Sequence, residues 1–178
     1  MSNNYLITGP DGSGKTTVVE KVISNLEGEG YEAGGIYCPE IREAGSRKGF
    51  EIVDIRSGES KILAHVDQEK GPKVSKYRVN VSNVDYMSLG SISQALEDQD
   101  FVVVDEIAPM EIYSEEFKKQ VQKALDSKKP LLAVIHQRAS SGFIGNVKKR
   151  DDVKIFEVNR ETRDLLPEKL TELISNNI

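Results

Sequence analysis

Short apolar runs alternate with amphipathic stretches along most of the chain. An apolar run of about four or more residues that stops at a glycine or a polar residue indicates a buried strand. Apolar residues that recur three and four positions apart indicate a helix with one buried face. Strands are predicted at residues 5–8, 35–38, 101–106, 131–136 and 153–158, and helices at residues 16–26, 84–97, 115–126 and 163–176. Strands that alternate with helices form a mostly parallel central sheet flanked by helices, so we predict an α/β fold.

The middle of the chain breaks this alternation. Residues 50–55 and 60–66 alternate apolar and polar positions on either side of the tight turn Arg56-Ser-Gly-Glu59. Two alternating segments joined by so short a turn indicate a β-hairpin rather than a strand–helix–strand unit. We therefore predict an inserted β-hairpin around residues 49–66, with a further short strand near residues 77–81.

Composition places the chain among compact globular proteins. It has 178 residues, of which 38% are hydrophobic and 30% charged, so we predict a single domain over residues 1–178. The net charge of −5 indicates no clear nucleic-acid surface. No apolar run approaches the roughly 20 residues that span a bilayer, so no membrane partner is expected. The first residues also lack the basic start and apolar stretch of a secretion signal.

The single cysteine, Cys38, allows no internal disulfide, which favours a cytoplasmic location. Cys38 ends a predicted strand and is expected to act there as a small apolar residue. His65 and His136 are far apart in the sequence and indicate no zinc site. The candidate chemistry therefore lies in other segments.

The first predicted strand and helix are joined by the segment Gly9-Pro-Asp-Gly-Ser-Gly-Lys-Thr16. It matches G-x-x-x-x-G-K-T, the P-loop or Walker A pattern, and it has the preceding strand and the following helix that this pattern requires. Glycines let successive backbone N–H groups turn inward around a phosphate, and the helix adds the positive end of its dipole. Lys15 is predicted to bind the β- and γ-phosphates, and Thr16 to offer its hydroxyl to Mg²⁺.

A P-loop predicts a second metal-binding element at the end of another strand. Asp105 follows the apolar residues 101–104, at the edge where open α/β sheets bind their ligands. This Walker B carboxylate is predicted to hold Mg²⁺ through a water molecule. Glu106 is predicted to position the attacking water, because water is a weak nucleophile that must lie in line with the leaving oxygen. A solvated glutamate or a supporting partner of the site is the alternative for Glu106.

Several segments together carry a family resemblance. In chain order they are TGPDGSGKTT, PEIREAGSRKGFEIVDI, ILAHV, KVSKYRVNV, VVVDEIAPMEI, KPLLAVIHQR and DDVKIFEVNRETRDLLPEKL. The chain resembles the small P-loop nucleoside-triphosphatases of thermophilic microbes, which have a human counterpart called cancer-related nucleoside-triphosphatase. The match covers nearly the whole chain, and its VDEI-x-PME segment is more specific than the P-loop. The resemblance implies slow, Mg²⁺-dependent hydrolysis of ATP, GTP and other nucleoside triphosphates to the diphosphate and phosphate.

The resemblance also implies which residues bind the nucleotide. Residues 9–16 and 102–109 match the nucleotide-binding stretches of the family. The predicted nucleotide-binding residues are Gly9, Pro10, Asp11, Gly12, Ser13, Gly14, Lys15, Thr16, Thr17, Val102, Val103, Val104, Asp105, Glu106, Ile107, Ala108, Pro109 and Arg163. The family usually has glycine where this chain has Ala108, so a positive φ there would strain the backbone. Asp11 brings a carboxylate near the phosphates and is expected to turn outward.

Basic side chains are the candidates for neutralising charge in the transition state. Arg138 is the predicted catalytic arginine, because it opens the polar stretch of residues 137–146, which we predict to be a lid loop. His136 either senses the γ-phosphate or caps its strand. Further candidates, or else members of a solvated basic loop, are Arg42, Arg47, Lys48 and Lys76.

Arg163 follows the last predicted strand, where P-loop folds often meet the base of the nucleotide. Its planar guanidinium group could stack on a purine. In the alternative, Asn159 or Thr162 caps the last helix and Arg163 lies in solvent.

Taken together, these residues predict an enzyme, a Mg²⁺-dependent nucleoside-triphosphatase. Lys15, Glu106 and Arg138 are its predicted catalytic residues, and Thr16 and Asp105 its predicted metal ligands. A nucleotide or nucleoside kinase is one alternative, although residues 137–146 hold a single arginine where kinases commonly have an arginine-rich lid. A nucleotide-controlled binding module is the other, because hydrolysis does not need an insertion as large as residues 39–77. The sequence leaves the physiological substrate and the oligomeric state open.

Overall fold

The computed structural model describes residues 3–178. Met1 and Ser2 lie outside the described residues. The predicted domain begins with these two residues, and so does the N-terminus that is expected to lack a secretion signal. The strands are β1 (Asn4–Thr8), β2 (Ala33–Tyr37), β3 (Glu40–Glu43), β4 (Ser46–Asp54), β5 (Ser60–His65), β6 (Lys73–Val74), β7 (Tyr77–Val79), β8 (Phe101–Ile107), β9 (Leu131–Ile135) and β10 (Val153–Glu157). The helices are α1 (Lys15–Gly28), α2 (Val81–Asp98), α3 (Glu115–Asp126), α4 (Gly142–Lys148) and α5 (Leu166–Ser175), with a 3-10 turn at Glu111–Tyr113.

The strands of the described residues form one mixed sheet. Its order is β10-β1-β9-β8-β2-β4-β5-β7-β6, and β3 pairs with β4. The strands from β10 to β2 in this order are parallel. Beyond β2, the pairs are antiparallel. The predicted α/β fold with a central parallel sheet is confirmed, and the predicted hairpin, present as β4 and β5, extends that sheet from β2.

Side chains that alternate along the central strands form a separate core on each face of the sheet. On β8, Val102 and Val104 belong to the core that α2 and α3 cover. Phe101 and Val103 belong to the opposite core, which α1 and α5 cover. All four side chains are fully buried, so β8 is held firmly on both faces up to its carboxyl end. Within residues 3–178, no helix has the length and apolar character required to cross a membrane.

The polar stretch after β9 is not the continuous lid loop that the sequence predicts. Its second half belongs to helix α4, and Ile144 and Val147 on that helix are buried in the same core as α2 and α3. The loop itself is limited to residues 136–141. A helix of seven residues with two glycines has weak propensity, so its contacts with the core, rather than its local sequence, stabilise it.

The last helix begins later than predicted, at Leu166 instead of residue 163. Asn159 and Thr162 form a hydrogen-bonded turn ahead of it: the Asn159 side chain accepts from the Thr162 N–H at 3.0 Å. Pro167 lies in the first turn of α5, where its missing N–H costs nothing. The turn therefore separates Arg163 from the helix that was expected to contain it.

Arg42, Arg47 and Lys48, for which a solvated basic loop was one of the two predictions, lie in β3 and in the first part of β4. The two strands are joined by Ala44 and Gly45, which have φ values of 50° and 78°. Two consecutive residues with positive φ match the right-handed twist of a tight hairpin. This hairpin continues past the carboxyl end of β2, on the same edge of the sheet as the P-loop.

Arg150 pairs with two carboxylates, one at the end of α3 and one just before β10. Its NH2 group lies 2.8 Å from both Asp126 and Asp152. The hydrogen bond from Arg150 is the main reason that the pKa of each aspartate is lowered from its ordinary value of 3.8. The pairing connects the end of α3 to the turn before β10.

Replacing Arg150 with glutamine is expected to lower the free energy of unfolding at pH 7 by about 0.5–1 kcal/mol, because solvent screens the exposed aspartates. Because the pKa of each aspartate is lowered, the stabilisation by Arg150 is complete at pH values above 3.8, the ordinary pKa. It is lost as the pH falls through the lowered pKa values. The urea unfolding curves of the unmodified protein and of Arg150→Gln should therefore differ equally at about pH 7 and 5, and they should converge in stronger acid. Arg56→Gln, on an exposed turn, is the control; a difference that grows in acid would contradict the assignment.

Candidate active site

Four parallel strands end side by side at one edge of the sheet. β1 leads directly to Gly9, the first residue of the P-loop, and its neighbour β9 leads to His136. β8 carries Asp105 and Glu106 near its end, and β2 ends at Tyr37, which lies opposite Asp105 in the register. The topology thus brings the P-loop, the two acidic residues and the loop after β9 to a single edge, where α/β sheets bind their ligands.

The shape of the P-loop depends on two of its glycines. Gly14 is the N-cap residue of α1 and has φ = 100°, a left-handed conformation that glycine adopts readily. A Cβ atom on Gly9 would lie 2.7 Å from the carbonyl oxygen of Val158 and 2.9 Å from Ser13 Oγ, so no larger residue fits there. The loop therefore leads tightly into α1, whose first N–H groups are available to an anion at this edge.

Lys15 and Thr16 are the first residues of α1, and their side chains contact the neighbouring segments. Lys15 Nζ donates to the carbonyl oxygen of Gly9 at 2.7 Å, across the loop. Thr16 Oγ1 donates to Oδ2 of Asp105 at 3.2 Å. The second contact joins the two oxygen groups that the sequence proposes as metal ligands, and Mg²⁺ prefers oxygen ligands of this kind. The donor set and its spacing are therefore compatible with the ion.

Asp105 and Glu106 lie where burial opposes their ionisation. Asp105 is 8% exposed, and burial raises its pKa to about 6, against the effects of the Thr16 hydrogen bond and the charge of Lys15. Burial likewise raises the pKa of Glu106 to about 7, while Lys15 lowers it and the charges of Asp105 and Asp11 raise it. Lys15 is thus the cation that favours the charged form of both carboxyl groups.

His136 lies close to the P-loop. Burial lowers its pKa, and the positive charges of Lys148 and Lys15 lower it further. A lowered pKa favours the neutral imidazole near neutral pH, which can accept a hydrogen bond as well as donate one. The two roles that the sequence leaves open for His136 stay open.

The loop that carries Arg138 is fastened to α4. Lys148 Nζ donates to the carbonyl oxygens of Gln137 at 3.0 Å and Ala139 at 2.6 Å, the residues on either side of Arg138. Arg138 itself is exposed, beyond the carboxyl end of β9. Any movement of this loop toward a ligand therefore involves α4 as well.

Arg163 combines features of both roles predicted for it. The turn before α5 is capped as in the solvated alternative, with the Asn159 side chain accepting from the Glu161 and Thr162 N–H groups. Arg163 is exposed, and its Cδ atom lies 3.8 Å from the position that a Cβ on Gly14 would occupy. The Arg163 side chain therefore passes close to Gly14 of the P-loop and is exposed, and the stacking of its guanidinium group on a base stays a prediction.

The other predicted nucleotide-binding residues lie in the same two segments. Pro10, Gly12, Ser13 and Thr17 are in the P-loop or directly after it, and Pro109 follows β8. The fully buried side chains of that segment are Val102, Val103, Val104 and Ile107. These four residues hold β8 in place, so the segment reaches the edge of the sheet with Asp105 and Glu106.

Ala108 and Asp11 cause no visible conflict in the site. Among residues 3–178, the non-glycine residues with positive φ are Ala44 and Ser75, so Ala108 avoids the strain that a positive φ would impose. The Ala108 carbonyl accepts from the Glu111 N–H at 3.2 Å and begins the 3-10 turn. Asp11 is exposed, as its expected outward orientation requires.

Arg42, Arg47 and Lys76 have partners within the insertion. Arg42 and Arg47 both pair with Glu40 at 2.9 Å. Arg47 also donates to the Tyr77 hydroxyl at 2.9 Å, and Lys76 lies over the Tyr77 ring. Arg42, Arg47 and Lys76 are thus part of the surface of the insertion, which leaves Arg138 as the better candidate for a catalytic arginine.

The sequence reasoning missed Glu111. It is 3% exposed, although it lies in a polar segment between β8 and α3. Burial raises its pKa well above the ordinary value, and the nearby charge of Glu106 raises it further. Glu111 lies directly after Pro109-Met110 in the VDEI-x-PME segment, which resembles the family. This position was the signal in the sequence that could have identified Glu111.

A family model described as NTPase matches residues 4–171 of this chain. Two curated relatives are both named nucleoside-triphosphatase THEP1. The protein from Thermofilum pendens is 44% identical over 176 residues, with 98% of this chain and 97% of that protein aligned. The protein from Methanothermobacter thermautotrophicus is 41% identical over 171 residues, with 96% of this chain and 95% of that protein aligned.

Solved structures resemble the fold over its full extent. The crystal structure of THEP1 from the hyperthermophile Aquifex aeolicus matches with a TM-score of 0.82 and 26% identity, covering 96% of this chain and 98% of that one. The solution structure of a human cancer-related nucleoside triphosphatase matches with a TM-score of 0.79 and 28% identity, covering 98% of each chain. The antiparallel strands beyond β2 therefore belong to a fold that these proteins share.

Proposed function

The chain belongs to the NTPase family, as its motifs indicated, and we propose that it is a Mg²⁺-dependent hydrolase of nucleoside triphosphates. The products are the nucleoside diphosphate and phosphate. ATP, GTP and other nucleoside triphosphates are the proposed substrates, with slow turnover. Broad specificity is reasonable because most of the proposed contacts are with phosphate groups, which all these substrates share.

One observation carries this proposal. Two consecutive residues at the start of α1 contact the two halves of the site, Lys15 the P-loop at Gly9 and Thr16 the carboxylate of Asp105. The groups proposed to bind phosphate and metal thus lie around one helix N-terminus, which also favours negative charge through its dipole.

In the proposed mechanism, the P-loop N–H groups and Lys15 bind the β- and γ-phosphates. Thr16 and Asp105 would hold Mg²⁺, Asp105 through a water molecule. When bound, the ion neutralises charge on the phosphate oxygens. The bond between the γ-phosphorus and the bridging oxygen breaks as the water oxygen bonds to the γ-phosphorus. The bridging oxygen leaves on the nucleoside diphosphate, and both hydrogens of the water leave with the phosphate product. Glu106 accepts a hydrogen bond from that water and places it in line with the leaving oxygen.

Arg138 is the proposed source of additional positive charge at the γ-phosphate. It is exposed at the correct edge of the sheet, and its loop is attached to α4 rather than to the central strands. Arg163 is proposed to contact the base beside Gly14. Stacking of a guanidinium plane on a base discriminates weakly, which agrees with broad specificity.

Release of phosphate in the absence of an acceptor tests hydrolysis against phosphoryl transfer. The purified protein with Mg²⁺ and ATP, or GTP, should form phosphate and the nucleoside diphosphate, ADP or GDP, in equal amounts with no other substrate present. A kinase would consume the nucleotide only after a nucleoside or nucleotide acceptor is added. Acceptor-dependent consumption would therefore replace the present proposal with the kinase.

Replacing Thr16 with valine removes the hydroxyl but keeps the shape of the side chain. We expect the Mg²⁺ concentration for half-maximal hydrolysis to rise about 10-fold, because a hydrogen bond or ligand to a charged group is worth about 1.5–3 kcal/mol. Thr16→Ser restores the hydroxyl and should restore the lower Mg²⁺ requirement. A Mg²⁺ titration of initial rates measures both, and identical midpoints for the valine and serine variants would remove Thr16 from the metal site.

A further inference from the structure

The loop that carries Arg138 has little main-chain support of its own. At its start, the His136 backbone N–H donates to the Ile107 carbonyl oxygen at 3.0 Å. After that contact, residues 137–140 form no hydrogen bond with any other backbone group in the part of the chain that the structure describes. The ladder between β8 and β9 therefore does not fix Arg138, and the position of this residue depends on side-chain contacts.

Lys148 supplies the hydrogen bonds that the backbone of this loop lacks. Its Nζ atom donates to the carbonyl oxygen of Gln137 at 3.0 Å and to that of Ala139 at 2.6 Å. Among the described residues, Lys148 forms no ion pair, so these two oxygens are the groups that hold its ammonium. Hydrogen bonds from a charged donor are stronger than neutral ones. Arg138 is therefore fixed through the residues on both sides of it.

Helix α4 holds Lys148 on a rigid base. Ile144 and Val147, on the same helix, are buried in the core that α2 and α3 cover. A Cβ atom on Gly145 would lie 2.5 Å from the carbonyl carbon and oxygen of Ser140, so the loop packs directly on the helix. This close approach brings the loop within reach of Lys148. The rigidity of a close-packed core thus extends through α4 to the loop.

We propose that Lys148 is a positioning residue that holds Arg138 in place for hydrolysis. Lys148 acts through the Gln137 and Ala139 carbonyl groups rather than by contact with the nucleotide. A loop that is ordered before the nucleotide binds loses less conformational entropy on the way to the transition state. The inference rests on the proposed function, because it concerns the residue that would add positive charge at the γ-phosphate.

Lys148→Met keeps a long apolar side chain and removes both hydrogen bonds. We expect kcat for ATP hydrolysis to fall about 10-fold, the equivalent of one hydrogen bond to a charged group. The Kd for a non-hydrolysable ATP analogue should not change, because the P-loop is intact. Lys148→Arg keeps the positive charge and the donors, so it should recover most of the lost rate. A fall in nucleotide affinity without a fall in kcat would overturn the proposal.

Lys149→Met is the matched control, because Lys149 is the next residue and is exposed. This variant should hydrolyse ATP at the rate of the unmodified protein. If Lys148→Met and Lys149→Met had the same kcat, the two carbonyl contacts would have no role in hydrolysis and the proposal would be overturned.

Limited digestion with trypsin measures the order of the loop directly, because trypsin cleaves after arginine and Arg138 is exposed. A loop released from Lys148 should be cut after Arg138 about 10-fold faster in Lys148→Met than in Lys149→Met, and mass spectrometry identifies the new terminus at Ala139. Cleavage that rises equally at sites in α1 and α3, together with a lower Tm, would show a general packing role and overturn the inference.

The decisive experiment repeats Lys148→Met in an Arg138→Gln background under single-turnover conditions. Because Lys148 acts through Arg138, we expect no further loss of rate in that background. An equal loss in both backgrounds would show that Lys148 acts on the nucleotide or on the core, and it would overturn the inference. If Arg138→Gln alone left hydrolysis unchanged, the role of Arg138 and this inference would fail together, while the proposed hydrolysis would stand. A lack of hydrolysis by the unmodified protein would instead overturn the proposed function.

Discussion

Replacing Lys15 with alanine is expected to lower kcat/KM for ATP hydrolysis by about 10²-fold or more and to weaken nucleotide binding. The ammonium group contacts Gly9 across the loop and is the cation that opposes the raised pKa of both Asp105 and Glu106. Without it, the triphosphate loses a charged partner in the ground state and in the transition state. Initial rates and a binding titration on the same preparation measure the two effects.

Lys21→Ala is the matched control for Lys15, because Lys21 is exposed further along the same helix. It should bind and hydrolyse ATP as the unmodified protein does. If Lys15→Ala and Lys21→Ala behaved alike, the P-loop would not be the phosphate site.

Replacing Glu106 with glutamine is expected to lower kcat by about 10²-fold while nucleotide affinity stays near normal. Glutamine has the same shape but lacks the negative charge that polarises water. Lys15, Thr16 and the loop N–H groups are unaffected, so the ground state should bind as before. Single-turnover phosphate release gives the rate, and equilibrium titration gives the affinity.

Glu27→Gln is the control for Glu106, since Glu27 is exposed near the far end of α1. A Glu106→Gln variant that hydrolysed ATP at the rate of this control would assign the water to another group. A large loss of affinity in Glu106→Gln would indicate instead that the substitution disturbs the metal or the loop.

The P-loop and the acidic end of β8 could be predicted because their chemistry is local in sequence. The glycines, Lys15 and Thr16 occupy one short segment with a strand before it and a helix after it. Asp105 and Glu106 follow four apolar residues whose continuous hydrophobicity is typical of a central parallel strand. Parallel topology then brings both segments to one edge.

Helix α4 could not be predicted from its own sequence. Gly142 and Gly145 lower its propensity, and it has too few residues to form a stable helix alone. A Cβ on Gly145 would lie 2.5 Å from the Ser140 backbone, so this glycine allows the loop to pack closely on the helix. The β3–β4 turn could not be predicted either, because alanine is an unusual residue at positive φ and Ala44 has φ = 50°.

The burial of Glu111 could not be predicted because it depends on contacts between segments that are distant in the sequence. Polarity predicts that a glutamate between β8 and α3 lies at the surface. Glu111 is buried because the 3-10 turn that contains it packs against α2, α3 and β8. Packing of this kind cannot be read from hydrophobic periodicity, which reports on one element at a time.

The central claim is that the P-loop binds the phosphate tail of a nucleoside triphosphate. Calorimetric titration of the protein with a non-hydrolysable ATP analogue and Mg²⁺ tests it most directly. We predict saturable binding that is much weaker for the corresponding monophosphate. Absence of any heat of association with ATP or GTP analogues at millimolar concentration, in buffers of different ionisation enthalpy, would contradict the claim.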